Sequence, residues 1–165
     1  AQITIDYIIG CYSKIKLKKI SPYILAILRM GIYQIKFMDK VPDSAAVNES
    51  VTLAKRYGHK ASAGFVNGIL RNVLRGEIKY PEDELEALSI KYSYPLWMVK
   101  RWCDDFGKSF AEELMAAMNN EPEISIRTNL IKTTPENLLL KISNSRMSEI
   151  SSDMIISGGF VRYFY

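Results

Sequence analysis

Cysteine and histidine are scarce in this 165-residue sequence, and glycine-rich loops are missing altogether. Each scarcity closes a class of function. The two cysteines, Cys11 and Cys103, belong to no CxxC or Cys/His cluster, so neither a disulfide framework nor a zinc site is indicated, and a reducing, cytoplasmic setting fits. Cys103 sits between Trp102 and Asp104 with no basic neighbour placed to activate it, and reads as an inert, half-buried thiol. The one histidine, His59, stands beside Lys60 without a Ser or Cys nucleophile nearby, which favours a surface or capping role over a general base. The acidic run at 82–86 has one sign, helix-start spacing and no supporting histidine, so it reads as a solvated first turn and not as a metal site. Gly64 and Gly68 fall inside a helical pattern, and Gly158-Gly159 lacks both GxGxxG spacing and a following helix. No cofactor cradle, metal site or self-sufficient active site is expected within this sequence. The most apolar stretch, 20–38, is broken by Arg29, Gln34 and Lys36, which suits a buried helix better than a membrane span. No signal-peptide pattern opens the chain.

What is present is core-forming residues and an uneven charge. With 48% hydrophobic and 24% charged residues, the chain can build a real core and is not intrinsically disordered over most of its length. The net charge is +4, but residues 1–80 hold 13 basic and 5 acidic side chains, whereas 81–165 hold 9 and 13. A polyanion-facing surface is therefore expected in the first half.

Helix signals dominate the first 120 residues. A short helix spans Ile5 to Ser13, and Ser21-Pro22 is an N-cap followed by proline at the first helical position. The helix they open runs to about Met38 and is apolar over most of its circumference, as expected of a hub surrounded by others. Val41-Pro42-Asp43-Ser44 opens the next, which stops at Tyr57-Gly58, where glycine can take a left-handed cap. Further helices are expected from about Ala61 to Arg75, from Pro81, from Tyr94-Pro95 to near Gly107, and from Ser109 to Asn120. After Pro122, Ile124, Ile126, Thr128 and Leu130 alternate with polar residues, a period of two that predicts a strand. Thr134-Pro135-Glu136 caps a short helix through about Ile142, and the end of the chain is Ser-rich and then β-like from Phe160 to Tyr165 after a turn at Gly158-Gly159. The expected fold class is mainly α: a helical bundle over 1–80, a helical linker over 81–122, and the start of a small α/β unit over 123–165.

The helix from Ala61 to Arg75 is the most informative. At 100° per residue, Val66, Ile69, Leu70, Val73 and Leu74 form its apolar face, while Asn67, Arg71 and Arg75 share a stripe beside Gly64 and Gly68. Two interior glycines cost roughly 1 kcal/mol each relative to alanine, so something must approach that face closely. It is either a neighbouring helix packed against the glycines with the arginines at its edge, or a phosphate backbone gripped by the arginines. The run Lys14, Lys16, Lys18 and Lys19, interleaved with Ile15 and Leu17, is either a solvated connector or a set of phosphate contacts weakened by salt. Lys55, Arg56 and Lys60 extend the basic character.

Three blocks carry a resemblance: Ile27-Leu28-Arg29-Met30-Gly31-Ile32-Tyr33-Gln34; Val41-Pro42 with Ala45-Ala46-Val47-Asn48-Glu49; and Gly64-Phe65-Val66-Asn67-Gly68-Ile69-Leu70-Arg71-Asn72-Val73. In order and spacing they resemble the NusB family of RNA-binding helical domains. The later stretches, Ser93-Tyr94-Pro95-Leu96-Trp97-Met98-Val99-Lys100-Arg101-Trp102, Asn119-Asn120-Glu121-Pro122 and Ile126-Arg127-Thr128-Asn129, resemble the linker and first strand of the RsmB/Sun family of small-subunit ribosomal RNA cytosine-5 methyltransferases. That resemblance reaches to about Leu140.

It implies an enzyme parent whose S-adenosylmethionine loop and two catalytic cysteines lie in a later domain. The residues present would be inactive alone and would hold ribosomal RNA so that one cytosine can leave its stack for attack. On this reading both ends of the sequence look cut, with further NusB helices before Ala1. The RNA-contact residues expected are Lys14, Lys16, Lys18, Lys19, Arg71 and Arg75, with Arg127 from the second unit. Asn48, Glu49 and Asn67 are assigned mainly to packing and capping. The alternatives are a NusB-type antitermination factor acting in transcription without enzymatic activity, and a bundle whose glycine face receives a partner helix.

Overall fold

The first unit is built on helices whose apolar stripes close around a shared interior. The computed structural model describes residues 1–120 and 122–157. It divides into two compact units, Ala1–Ala117 and the residues from Met118 onward. In the first, α1 (Gln2–Tyr12), α2 (Pro22–Phe37), α3 (Asp43–Tyr57) and α4 (Lys60–Arg75) surround Ile5, Ile8, Ile9, Ile24, Leu28, Ile32, Val66, Leu70 and Val73, all buried. A single 3-10 turn, Leu17–Lys19, joins α1 to α2. The stretch read from sequence as a linker supplies α5 (Glu84–Tyr92), α6 (Leu96–Phe106) and α7 (Lys108–Met118). These pack about Leu88, Val99 and Met115, with Tyr94 edge-on to Trp102 at 5.3 Å.

The hub expectation for α2 is corrected in one respect. It touches α1, α3 and α4, yet Met30, Tyr33 and Phe37 are exposed, because the three neighbours share one side and these residues recur at i, i+3 and i+7 on the other. Gly31, on the buried side, marks where α2 meets the α3–α4 pair. A Cβ placed there would lie 2.6 Å from Ser50 Oγ and 3.0 Å from Leu70 Cδ1.

Two capping expectations are corrected as well. Gly58 ends α3 in extended backbone, φ −120°. Glycine is required there by a close approach instead, since a Cβ would lie 2.7 Å from the Ala54 carbonyl oxygen and from Ser62. The helix expected from Pro81 begins three residues later, where the Asp83 carboxylate accepts the Glu86 N–H at 2.8 Å. Asp83 is the better start because its carboxylate accepts a first-turn N–H, whereas proline has no side-chain acceptor.

The first turn of α1 is capped from a distance. Ser93 Oγ accepts the Ile3 N–H at 2.9 Å, and Thr4 Oγ1 donates to the Ile90 carbonyl at 2.6 Å. Ser93 adopts φ 62°, a left-handed conformation that costs a non-glycine residue energy and persists here in a residue committed to the cap. Ser93→Ala is expected to lower stability by about 1 kcal/mol, read as a fall in chemical-denaturation midpoint. Ser93→Gly relieves the backbone strain and is expected to lose less.

The second unit is a three-stranded antiparallel sheet in the order β1 (Ile124–Arg127), β3 (Met154–Ser157), β2 (Ser145–Met147). Ile126 pairs with Ile155 and Met147 pairs with Ile155 from the other side, so the central strand buries Ile155 and Ser157. Helix α8 (Pro135–Leu139) follows the Thr134 cap expected from sequence, with Asn137 N–H donating to Thr134 Oγ1 at 3.3 Å. The alternation predicted to continue to Leu130 stops at Arg127. Thr128 is buried but Leu130 is exposed, because the chain turns at Asn129, whose carbonyl accepts from Lys132. The β-like stretch expected at Phe160 to Tyr165 lies outside the described residues.

Candidate nucleic-acid interface

Charge pairing separates the two halves of the chain more sharply than charge count does. Among the described residues, Arg29 is the only one of the 13 basic side chains in 1–80 with an ion-pair partner: its guanidinium donates twice to Asp6, both at 2.7 Å. Beyond residue 80, Lys91 pairs with Glu112, Arg101 with Asp105, Lys108 with Glu84, Arg127 with Asp153 and Arg146 with Glu123. The Lys91 ammonium and Tyr92 hydroxyl hold the Glu112 carboxyl below its ordinary range by hydrogen bonding. Five of the eight described cations of the later part are thus paired locally, Lys100, Lys132 and Lys141 being the exceptions. Twelve of the 13 in the first part have no ion-pair partner among the described residues and leave their field uncompensated.

Helix α4 organises the first group. His59 is its N-cap residue, and its N–H donates to Ser62 Oγ at 3.0 Å, so the histidine ends in the capping role read from sequence. One turn on, the glycine face is bare. Gly64 and Gly68 are exposed, and a Cβ on either would meet nothing within 4 Å. Among the described residues no helix packs against them, so the first of the two sequence alternatives does not hold there.

On the neighbouring stripe Arg71 Nε donates to Asn67 Oδ1 at 3.1 Å. Arg71 and Arg75 then face the start of α3 across a groove of about 380 Å³ lined by Asp43, Ser44, Val47, Asn48 and Leu74. The groove offers two guanidinium groups, a hydroxyl and an amide against one carboxylate, a set suited to phosphate and sugar oxygens.

Asn48, read from sequence as a packing residue, is exposed and lines this groove, and Glu49 is exposed too. The signal that could have found Ser44 and Asn48 is their i, i+4 spacing on the face of α3 turned to α4. Asn67 acts through Arg71, fixing its guanidinium.

The lysine run joins the same end of α4. Tyr12, two residues before Lys14, sends its hydroxyl to the Glu77 carbonyl at 3.4 Å. It also occupies the space a Cβ on Gly76 would need, one residue beyond Arg75. Leu17 is half-buried and Ile20 buried, which pins the loop, while Lys14, Lys16, Lys18 and Lys19 are exposed. Arg127 belongs to the second unit, on β1, with Nε 3.2 Å from Asp153. A phosphate would have to displace that carboxylate, which is itself held low by a Ser151 hydrogen bond and the nearby Arg127.

Neither cysteine is bonded to another: Cys11 is exposed and Cys103 half-buried. Among the described residues no group of three His, Cys, Asp or Glu side chains is placed to hold a metal ion, and no helix is long and apolar enough to cross a membrane.

Comparison with known proteins places two family models on the chain. Residues 1–75 match the NusB family, and residues 94–157 match the RsmF/B-like methyltransferase ferredoxin-like domain. The chain is 35% identical over 141 residues to the probable ribosomal RNA small subunit methyltransferase B of Bacillus subtilis, covering 84% of this chain and 31% of that protein. It is 35% identical over 136 residues to the probable protein of the same name in Synechocystis, covering 81% and 30%. The transcription antitermination protein NusB of Ruminiclostridium cellulolyticum is 43% identical over 63 residues, covering 38% of this chain and 43% of that one. The chain thus spans about a third of the methyltransferase relatives' length. The crystal structure of PH0851 superposes with a TM-score of 0.74 at 22% identity, over 97% of this chain and 38% of that one, a likeness of fold.

Proposed function

From a chain that joins a NusB-family domain at residues 1–75 to an RsmF/B-like ferredoxin-like domain at 94–157, we propose the RNA-recognition portion of a small-subunit ribosomal RNA cytosine-5 methyltransferase. Its task is to hold ribosomal RNA for methylation, with S-adenosylmethionine and the reacting residues supplied by a domain outside these residues. The observation that carries the reading is the concentration of unpaired cations in the NusB-like unit, where Arg29 alone has an ion-pair partner among the described residues, against five paired among the eight described cations beyond residue 80.

Lys14, Lys16, Lys18 and Lys19 supply point charges to the RNA backbone, while Arg71 and Arg75 supply planar forks in the groove opposite Ser44 and Asn48. The bare helix at Gly64 and Gly68 lets the strand approach α4. Arg127 is a secondary contact that exchanges Asp153 for phosphate. The match at 94–157, in a domain of the methyltransferase type, favours this reading over a free antitermination factor.

The test is binding of the chain to a fragment of small-subunit ribosomal RNA as salt rises. Affinity is expected to fall log-linearly, with a slope of about −0.7 per phosphate neutralised on single strands; absence of binding at low salt would contradict the proposal. A second prediction separates stability from function at the glycine face. Neither glycine has a positive φ, so Gly64→Ala with Gly68→Ala is expected to raise stability by roughly 1 kcal/mol per site. The same pair is expected to reduce RNA affinity, measured by thermal melting and anisotropy on one preparation. A more stable protein that binds RNA as before would remove the glycine face from the interface.

A further inference from the structure

Away from the groove, at the other end of α3, two tyrosines lie in the open. Tyr23, in the first turn of α2, and Tyr57, the last residue of α3, stack with ring centroids 6.4 Å apart and planes 20° apart. They are 67% and 51% exposed. The Arg56 guanidinium sits 5.3 Å from the Tyr57 centroid. Core packing does not explain the pair, since the interior beneath is filled by aliphatic side chains such as Ile24, Ile27 and Ala54. Nor is the surrounding surface a greasy patch that would suit a partner helix: Ser21, Pro22, Ala26, Lys55, His59 and Lys60 are the exposed neighbours in sequence. Lys55, Arg56 and Lys60 have no ion-pair partner among the described residues.

Exposed aromatic faces ringed by cations that have no ion-pair partner among the described residues match the chemistry of an unpaired nucleotide, whose base has a π-face and whose phosphates carry charge. We propose that Tyr23 and Tyr57 form a stacking platform for an unpaired base of single-stranded RNA, with Arg56, Lys55 and Lys60 holding the flanking phosphates. This rests on the RNA-binding reading above and adds a second, base-directed site to it. The platform lies the length of α3 from the groove at Asp43, roughly 20 Å at 1.5 Å per residue, so one strand lying along the α3–α4 pair engages both.

The experiment uses the whole chain and a fluorescently labelled, unstructured oligoribonucleotide, beside an abasic strand of the same length. Tyr23→Ala and Tyr57→Ala are expected to weaken binding to the intact strand 5- to 150-fold, the range of about 1–3 kcal/mol for one stacked base. The salt slope should stay unchanged, because no charge is removed. Tyr→Phe at both positions keeps the π-faces and is expected to bind as the parent does. On the abasic strand parent and alanine variants should converge.

Alanine variants that bind the intact strand like the parent would overturn the platform, and so would alanine variants that weaken both strands equally. A parent self-association in sedimentation that the alanine variants lose, with RNA binding intact, would assign the face to protein contact and overturn it as well. A parent that fails to bind either strand at low salt overturns the RNA reading itself. Retention of melting temperature by the variants, expected for exposed side chains, excludes misfolding as the cause of a loss.

Discussion

Reversing the charge at Arg71 and Arg75 together is expected to weaken RNA binding by at least about 100-fold and to flatten its salt dependence. Each guanidinium–phosphate contact is a charge-assisted hydrogen bond worth roughly 1.5–3 kcal/mol, so two contacts at the lower bound already account for that factor. At about −0.7 per phosphate for a single strand, losing two contacts removes about 1.4 from the slope of log affinity against log salt. The Arg71→Lys variant separates charge from geometry. Lysine keeps the charge but cannot both hold Asn67 and present a planar fork, so it should retain the slope and lose affinity. Asn67→Ala, which frees the Arg71 guanidinium from its 3.1 Å tether, should act in the same direction but more weakly. Unchanged affinity and slope in the double reversal would remove the α4 groove from the account.

The largest stability effect is expected at the crossing of α2 with α3 and α4. Leu70 is fully buried, and its methyl groups lie at 3.0 and 3.2 Å from the position of a Cβ on Gly31. Leu70→Ala removes a fully buried side chain from the core and leaves a cavity that the packed helices cannot fully collapse, at a cost of about 2–5 kcal/mol. Gly31→Ala errs in the other direction: it gains helix propensity but forces a methyl to 2.6 Å from Ser50 Oγ and 3.0 Å from Leu70 Cδ1, and overpacking of this kind costs about 1–3 kcal/mol. The double substitution tests the geometry, since the alanine methyl enters space that Leu70 has vacated. Its loss should be smaller than the sum of the singles, read from denaturant unfolding. Strict additivity would mean that the helices do not cross at this residue pair.

The helices were legible because their signals are local. Ser21-Pro22 stands at the head of α2, Thr134-Pro135 at the head of α8 and Gly107 after α6, each where the spacing placed it. The mainly helical fold with a small strand region, and the resemblance to the two families, followed from residues a few positions apart. What escaped depends on partners distant in sequence. Ser93 holds the first turn of α1 from 90 residues away, and no local pattern announces that.

The open side of α2 was hidden because apolar Met30, Tyr33 and Phe37 look like core until the three neighbouring helices are seen to share one face. Strands β2 and β3 run three and four residues through Ser-rich sequence, too short for a period of two to register. Their pairing is decided by Ile155 entering the sheet between Ile126 and Met147. At the candidate interface the basic residues could be picked by type. That Asn48 and Ser44 would stand across from Arg71, and that Tyr12 would tie the lysine run to the end of α4, required the fold.

The central claim is that RNA lies on the unpaired cations of residues 1–80 and not on the ion-paired ones beyond residue 80. Amide hydrogen exchange of the chain with and without a small-subunit ribosomal RNA fragment tests it most directly. The account predicts slowed exchange over residues 14–20, the start of α3 and the length of α4, disappearing as salt is raised, with weaker change near Arg127. Protection confined to 124–157, or protection of α4 that persists undiminished at high salt, would contradict it.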